Sequence, residues 1–217
     1  MPSQGQLHEQ DFGLIETMLW TMEQGFSLFD YHAARLQRSA RVLGFKFRSA
    51  EFDAQLAQAV QHLPPRQTFR VRAVLQRDGK LEVAHAAITP VPNNALWRVT
   101  PAKTRFDSSW PLLLHKTTLR ALYEDEFAAA LELGADEVIF VNERGELCEG
   151  ARCNIFLRRG GVFLTPALGC GVLPGTLRAQ LLDSGQAQEA ILAPADLINA
   201  EWYMGNSVRG LVRSELA

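Results

Sequence analysis

Residues 137–157 read EVIFVNERGELCEGARCNIFL. The apolar run EVIFVN ends in the turn ERGE, and ARCNIFLRR then returns as a second apolar strand. The turn GG (160–161) and VFLT (162–165) extend the series, so residues 137–165 form a run of antiparallel strands. Helical patterns flank it on both sides. Thr117 to Leu133 is a long helix ended by Gly134, and Pro174-Gly175 open a helix over TLRAQLLDSG. Strands grouped together, with no regular βαβ alternation, predict an α/β protein of the α+β type, built from mostly antiparallel sheets and flanking helices.

Working outward, residues 12–22 (FGLIETMLWTM) read as a strand, EQG as a turn and FSLF as a short returning strand. Tyr31 to Leu43 is helical, with Leu36, Ala40 and Leu43 on one face beside Arg35, Arg38 and Arg41, and Gly44 ends it. Ser49 is placed to cap a second helix running through His62, with Phe52, Leu56 and Val60 as its stripe and Pro64-Pro65 as its stop. TFRVRAVL and LEVAHAAI form a hairpin about Asp78-Gly79. TPVPNNA (89–95) is the linker candidate, dividing the chain into two small domains, 1–91 and 92–217. In the second, WRVT and 190–192 read as strands, Pro194–Ala200 as a short helix and EWYMGNSVRGLV as a closing strand pair.

The composition excludes several classes. Charges in the 217 residues sum to 22 − 24 = −2, so no basic field recruits nucleic acid. Cys148, Cys153 and Cys170 form no CxxC pair, which argues against a disulfide framework or a metal centre and suits a reducing cytoplasm. The opening MPSQGQLHEQDFG has no signal-peptide pattern, and no apolar run approaches the length of a membrane helix. Neither a GxGxxG dinucleotide loop nor a GxxxxGK[ST] phosphate loop is present.

Four features carry possible chemistry. Lys116, in LLLHKTTLR, stands after an apolar run at the predicted opening of a helix, where partial desolvation and the positive helix end favour a nucleophilic amine. Glu149-Gly150 precedes the strand CNIFL, where a carboxylate can point into a cleft. LPGT (173–176) leads into a helix whose first backbone N–H groups form a ready phosphate site. GNS (205–207) is a small polar turn able to offer a hydroxyl. Taken singly, these are also a snorkelling lysine, an exposed turn glutamate, a proline at a helix start and a turn.

Their order and spacing resemble the class IV aminotransferase family, whose members bind pyridoxal 5'-phosphate and include branched-chain and D-amino-acid aminotransferases and aminodeoxychorismate lyase. FGLIET, HAARLQRSA, HKTTLR, DEVIFVNERGELCEGARCNIF, LTPALGCGVLPGTLR and MGNSVRGLV carry the resemblance over nearly the whole chain. It implies a D-amino-acid aminotransferase-like fold. Lys116 is similar to the Schiff-base lysine, Glu149 to the acid on the pyridine nitrogen and Arg35 to the phosphate arginine. The backbone N–H groups of Thr176 and Leu177, with the Ser207 hydroxyl, complete the implied phosphate cup. The resemblance also implies a homodimer.

Three departures sharpen the expectation. Eleven residues precede Phe12, fewer than the family's opening strands need, so the small domain is expected to lack those strands and expose a sheet edge. The tyrosine that family aminotransferases carry five positions after the lysine is replaced by Ala121, with Tyr123 two residues on. HKTTLR, with Arg120 four residues after the lysine, is more similar to the lyase branch. Arg70 and Arg72 share one face of a strand and are candidates for a substrate carboxylate, or else a solvent-facing basic strand. Thr17 is placed near the cofactor by the lyase resemblance, while the Met and aromatic residues around it read as core. The expected activity is conversion of 4-amino-4-deoxychorismate to p-aminobenzoate and pyruvate, alone or beside an aminodeoxychorismate synthase partner. The alternatives are an aminotransferase for branched-chain or D-amino acids and a non-catalytic cofactor-binding domain.

Overall fold

The alternation along FGLIETMLWT becomes β1 (Leu14–Thr21) in a computed structural model of the chain, which describes residues 12–217. The expectations about the opening segment, both the lack of a signal and the missing strands, concern residues outside the described ones. Two compact units emerge: Met1–Pro90 with His115–Leu119, and Val91–Leu114 with Arg120–Ala217.

In the first unit, Leu14, Met18 and Trp20 point to one face of β1 and join a buried cluster with Leu36, Phe52, Leu56 and Val71. The sheet order is β2-β1-β3-β4, all antiparallel, with β2 at Gly25–Phe26, β3 at Phe69–Leu75 and β4 at Leu81–Ala87. Helices α1 (Phe29–Leu43) and α2 (Ser49–Val60) contribute apolar stripes to the same cluster. Two boundaries differ from the sequence expectation. FSLF does not return as a strand beyond Phe26, because Leu28 turns left-handed (φ 53°) and Phe29 already opens α1. Ser49 is the first helical residue rather than the cap, since the last extended residue is Arg48, and α2 stops at Val60.

The exposed edge expected on this sheet is partly covered among the described residues. β2 pairs with Trp20 and Thr21 at one end of β1. At the other end the segment around Thr117 bridges to Leu14.

The second unit contains β5 (Leu96–Pro101), α3 (Ala121–Glu132), β6 (Glu137–Val141), β7 (Leu147–Gly150), β8 (Asn154–Arg159) and β9 (Val162–Pro166). α4 (Thr176–Asp183), β10 (Ala187–Ala190), β11 (Trp202–Asn206) and β12 (Gly210–Leu216) follow. Strand order is β10-β9-β8-β11-β12-β5-β6-β7, and β7 also pairs with β8. Strands β8 to β7 therefore close into a ring, and the closing pair is Glu149 opposite Asn154. Buried Phe106, Tyr123 and Phe140 pack ring against ring, with the Phe106 and Phe140 centroids 4.4 Å apart. The helix predicted from Thr117 begins only at Ala121, and the one predicted over Pro194–Ala200 is a 3₁₀ turn, Pro194–Leu197. The β-branched pair Thr117-Thr118 is extended because it finds strand partners in β1. Among the described residues, no helix is long and apolar enough to cross a membrane, and no group of three or more His, Cys, Asp or Glu could hold a metal ion.

One carboxylate lies on the core face of β1. Glu16 is buried and accepts from Arg35 through both Nε and Nη2, and from His32 Nδ1 at 2.6 Å. Burial pushes its pKa up, but the Arg35 charge and the bonds from His32 and Arg35 outweigh that and hold it at about 2. His32 is shifted down by burial and by the Arg35 and Lys116 charges, against the opposing pull of Glu16, so it stays neutral near pH 7. The folded carboxyl titrates below its unfolded value, so its stabilisation is present above about pH 4.5 and is lost as pH falls toward about 2. That contribution is on the order of 3 kcal/mol. Urea unfolding of wild type and Glu16→Gln is expected to differ by several kcal/mol at pH 7 and to converge as the pH falls through this window. A pH-independent difference would exclude ionised Glu16 as the source.

Candidate active site

The first unit carries Lys116. Its carbonyl accepts from the Ile15 N–H at 2.7 Å, and the Thr118 N–H donates to the Gly13 carbonyl at 2.9 Å. The Gly13 N–H returns a bond to Thr118 Oγ1 at 3.0 Å. His115 Nδ1 meets Ser39 Oγ on α1 at 2.9 Å, and Leu119 packs on the apolar cluster. Lys116 thus belongs to an extended segment docked on β1. Lys116 does not open a helix, contrary to the sequence expectation, because α3 starts at Ala121, and no helix dipole acts at its position in the chain.

Helix α1 buries His32, Arg35, Leu36, Ser39 and Ala40, a helical stripe in which three of the five residues are polar. Each polar member has a partner: Glu16 for His32 and Arg35, His115 for Ser39. Arg35, expected on a phosphate, binds Glu16 with the Nε–Nη2 edge of its guanidinium.

On the opposite face of the sheet, Thr17 stands directly across from Arg72, and Leu19 across from Arg70. Ala84 and Ala86 of β4 flank the two arginines on the far side. Both arginines are exposed, and neither meets a carboxylate among the described residues.

The second unit carries Glu149, which is buried. Its Oε1 accepts from the Tyr123 hydroxyl at 3.1 Å, and its Oε2 from Leu173 N–H at 3.0 Å and Asn154 Nδ2 at 3.3 Å. Burial and the Glu149 charge push the Tyr123 phenol well above its ordinary value, so it remains a donor. Behind Glu149, the buried Glu137 accepts from the backbone N–H groups of Val138, Ala151 and Arg152 and so shapes the turn after Gly150. Burial raises the Glu137 pKa in spite of those bonds. Gly150 itself is required, because an added Cβ would strike Met204 and lie 2.9 Å from the Val138 carbonyl.

Thr176 and Leu177 open α4, whose N-cap, Gly175, brings no side-chain cap. A Cβ on Gly205 would lie 3.1 Å from Leu177, which sets the end of β11 beside the first turn of α4. Ser207 follows two residues later. Its turn is ordered by Asn206, whose Oδ1 accepts from Val208 N–H at 2.9 Å and Arg209 N–H at 2.8 Å. The sequence alone does not single out Glu16, His32, Glu137 and Asn154, and it does not say where Tyr123 points. HxxR in HAARL and the N of CNIF were the available signals, but nothing in either states which carboxylate it meets.

The sequence profile described as amino-transferase class IV matches residues 13–214. The chain belongs to that family. A Schizosaccharomyces pombe protein described as a candidate aminodeoxychorismate lyase is 27% identical over 95% of this chain and 90% of its own length. The crystal structure of a candidate amino-acid aminotransferase from Mesorhizobium loti is 42% identical, with a TM-score of 0.91 over 95% of this chain and all of that one. A hypothetical aminotransferase from Mycobacterium tuberculosis, in a PLP-bound form, is 20% identical with a TM-score of 0.82, covering 94% of this chain and 81% of that one.

The family works with pyridoxal phosphate, and the donor set of this chain fits that group. It holds a lysine amine for the aldehyde, a buried carboxylate for a protonated ring nitrogen, and a helix start with an uncapped glycine for a dianion. Tyr123→Phe is expected to lower stability by about 1–3 kcal/mol in urea unfolding, because a buried carboxylate loses a neutral donor. A variant as stable as wild type would mean that Glu149 does not depend on this bond.

Proposed function

We propose that the chain is a pyridoxal 5'-phosphate-dependent lyase that converts 4-amino-4-deoxychorismate to p-aminobenzoate and pyruvate. The observation that carries this reading lies beside the lysine. Position 121 is alanine, and the tyrosine of this segment, Tyr123, gives its hydroxyl to Glu149. The tyrosine typical of family aminotransferases is therefore missing from its position. The likeness to the S. pombe protein over nearly the full length of both chains supports the same reading.

In this proposal the bound cofactor supplies an electron sink beside the substrate's amine-bearing carbon. Lys116 provides the amine that holds the cofactor and then takes the proton from that carbon. Glu149 keeps the ring nitrogen protonated. Arg35, the Thr176 and Leu177 N–H groups and the Ser207 hydroxyl hold the phosphate. Arg70, Arg72 and Thr17 orient the substrate, whose two carboxylates match two arginines that meet no acidic side chain among the described residues. The enolpyruvyl ether leaves as pyruvate, the ring becomes aromatic, and no second substrate is consumed.

A second reading, an aminotransferase for branched-chain or D-amino acids, is favoured by the 42% identity to the M. loti protein. The two differ in what they require. Purified holoprotein given aminodeoxychorismate and no keto acid is expected to release pyruvate and p-aminobenzoate over many turnovers. Pyruvate absent, with the cofactor converted to its amine form by a branched-chain or D-amino acid, would select the aminotransferase. Protein that takes up no pyridoxal phosphate would defeat both. We also assign a homodimer working in the cytoplasm, and light scattering at twice the chain mass is the expected result; a fully active monomer would refute it.

A further inference from the structure

The pyridine nitrogen and the phosphate of pyridoxal phosphate are joined by a rigid ring, so a protein that grips both must fix the spacing between its two grips. We infer that Asn154 sets that spacing as a positioning residue. The inference rests on the cofactor reading above.

The observations lie within the second unit. Asn154 is buried and stands opposite Glu149 at the pair that closes the strand ring. Its Nδ2 donates to Glu149 Oε2 at 3.3 Å and to the Leu173 carbonyl at 3.1 Å. Leu173 N–H donates to the same Oε2 at 3.0 Å. Glu149, Asn154 and the backbone N–H and carbonyl of Leu173 therefore form a closed hydrogen-bonded circuit. The other end of the Asn154 amide rests against Gly175, where a Cβ would collide with Oδ1. Gly175 is the N-cap of α4. One side chain thus touches both the carboxylate assigned to the ring nitrogen and the residue that starts the phosphate helix.

The residue type matters for a physical reason. An amide offers two N–H groups on one atom, enough for a carboxylate and a carbonyl together. Aspartate has the same shape but cannot donate, and it would set a negative charge beside Glu149. An alkyl side chain would leave both acceptors short of a donor. A carboxamide neither gains nor loses a proton near neutral pH, so the part of Asn154 in the site is to hold position.

The test uses apoprotein titrated with pyridoxal phosphate and followed by absorbance, with unfolding of each apoprotein measured in parallel. The proteins are wild type, Asn154→Asp, Asn154→Ser, Glu149→Gln and the double variant Glu149→Gln/Asn154→Ser. Each single Asn154 substitution is expected to weaken cofactor binding about ten-fold or more. Because Asn154 acts through Glu149, the double variant should bind within about three-fold of Glu149→Gln alone. Additive losses in the double variant would assign Asn154 to general packing and overturn the inference. Wild-type affinity in Asn154→Ser would overturn it too, and if that variant does not fold, Asn154→Asp is read by the same criterion. Wild-type protein that binds no pyridoxal phosphate would overturn the cofactor reading and this inference together, an outcome distinct from the other two.

Discussion

Two backbone hydrogen bonds, from Ile15 N–H to the Lys116 carbonyl and from Thr118 N–H to the Gly13 carbonyl, hold residues 116–118 against the outer edge of β1. A strand edge carries a row of unpaired donors and acceptors, and β2 satisfies them only near Trp20 and Thr21. At the other end of β1 five residues, His115–Leu119, belong to the first unit although the chain on either side of them belongs to the second. The backbone of Lys116 is thereby set by sheet geometry and does not wander as a loop would. His115 on Ser39 and Leu119 in the apolar cluster brace the segment at both ends. A nucleophilic amine on a long flexible stem gains from this arrangement, because its base is fixed while its tip can move between positions.

Three buried carboxylates show how environment divides one chemical group into three tasks. Glu16 meets a guanidinium and an imidazole, and the cation keeps it ionised far into acid. Glu137 meets backbone N–H groups and the Cys153 side chain, and desolvation wins, which suits a structural acceptor beneath a turn. Glu149 meets a phenol, an amide and a peptide N–H, all neutral donors. Tyr123, Asn154 and the Leu173 N–H fix the direction of the Glu149 carboxylate from three different elements, whereas Glu16 is directed by one helix, through Arg35 and His32.

The strands and helices were largely legible because their signals are local. The apolar and aromatic run over 12–22 marked β1, the stripe Leu36–Ala40 marked α1, and Asp78-Gly79 marked the hairpin between β3 and β4. Where the expectation failed, a distant partner decided. HKTT has nothing against a helix in its own composition, and only the edge of β1, about a hundred positions earlier in the chain, makes it extended. Leu28 gives no warning of its left-handed turn. The site was legible as a set of types, a lysine, a glutamate, a helix start and a polar turn, because each type has its own chemistry. The supporting residues were not. Asn154 and Glu137 act through hydrogen bonds whose partners lie on other elements, and a single polar letter between apolar ones carries no record of what it touches.

The acid, the helix start and the amine serve any chemistry that makes a carbanion next to an amine, so they do not discriminate. Discrimination belongs to the groups that meet the rest of the substrate. A transaminase must accept two substrates in turn with one set of contacts, often with unlike side chains. A lyase for a ring bearing two carboxylates meets only one. The face of the first sheet that carries Thr17, Arg70 and Arg72 presents two positive charges two residues apart on one strand, with the small residues Ala84 and Ala86 beside them. A fixed pair of cations suits a fixed pair of anions, since two unbalanced charges facing an apolar side chain would have to be desolvated without compensation. On that physical ground a dicarboxylate matches this face better than a branched-chain amino acid, and because a keto acid can be a dicarboxylate as well as a ring can, the charge of the face selects the class of substrate and not the choice between elimination and transamination.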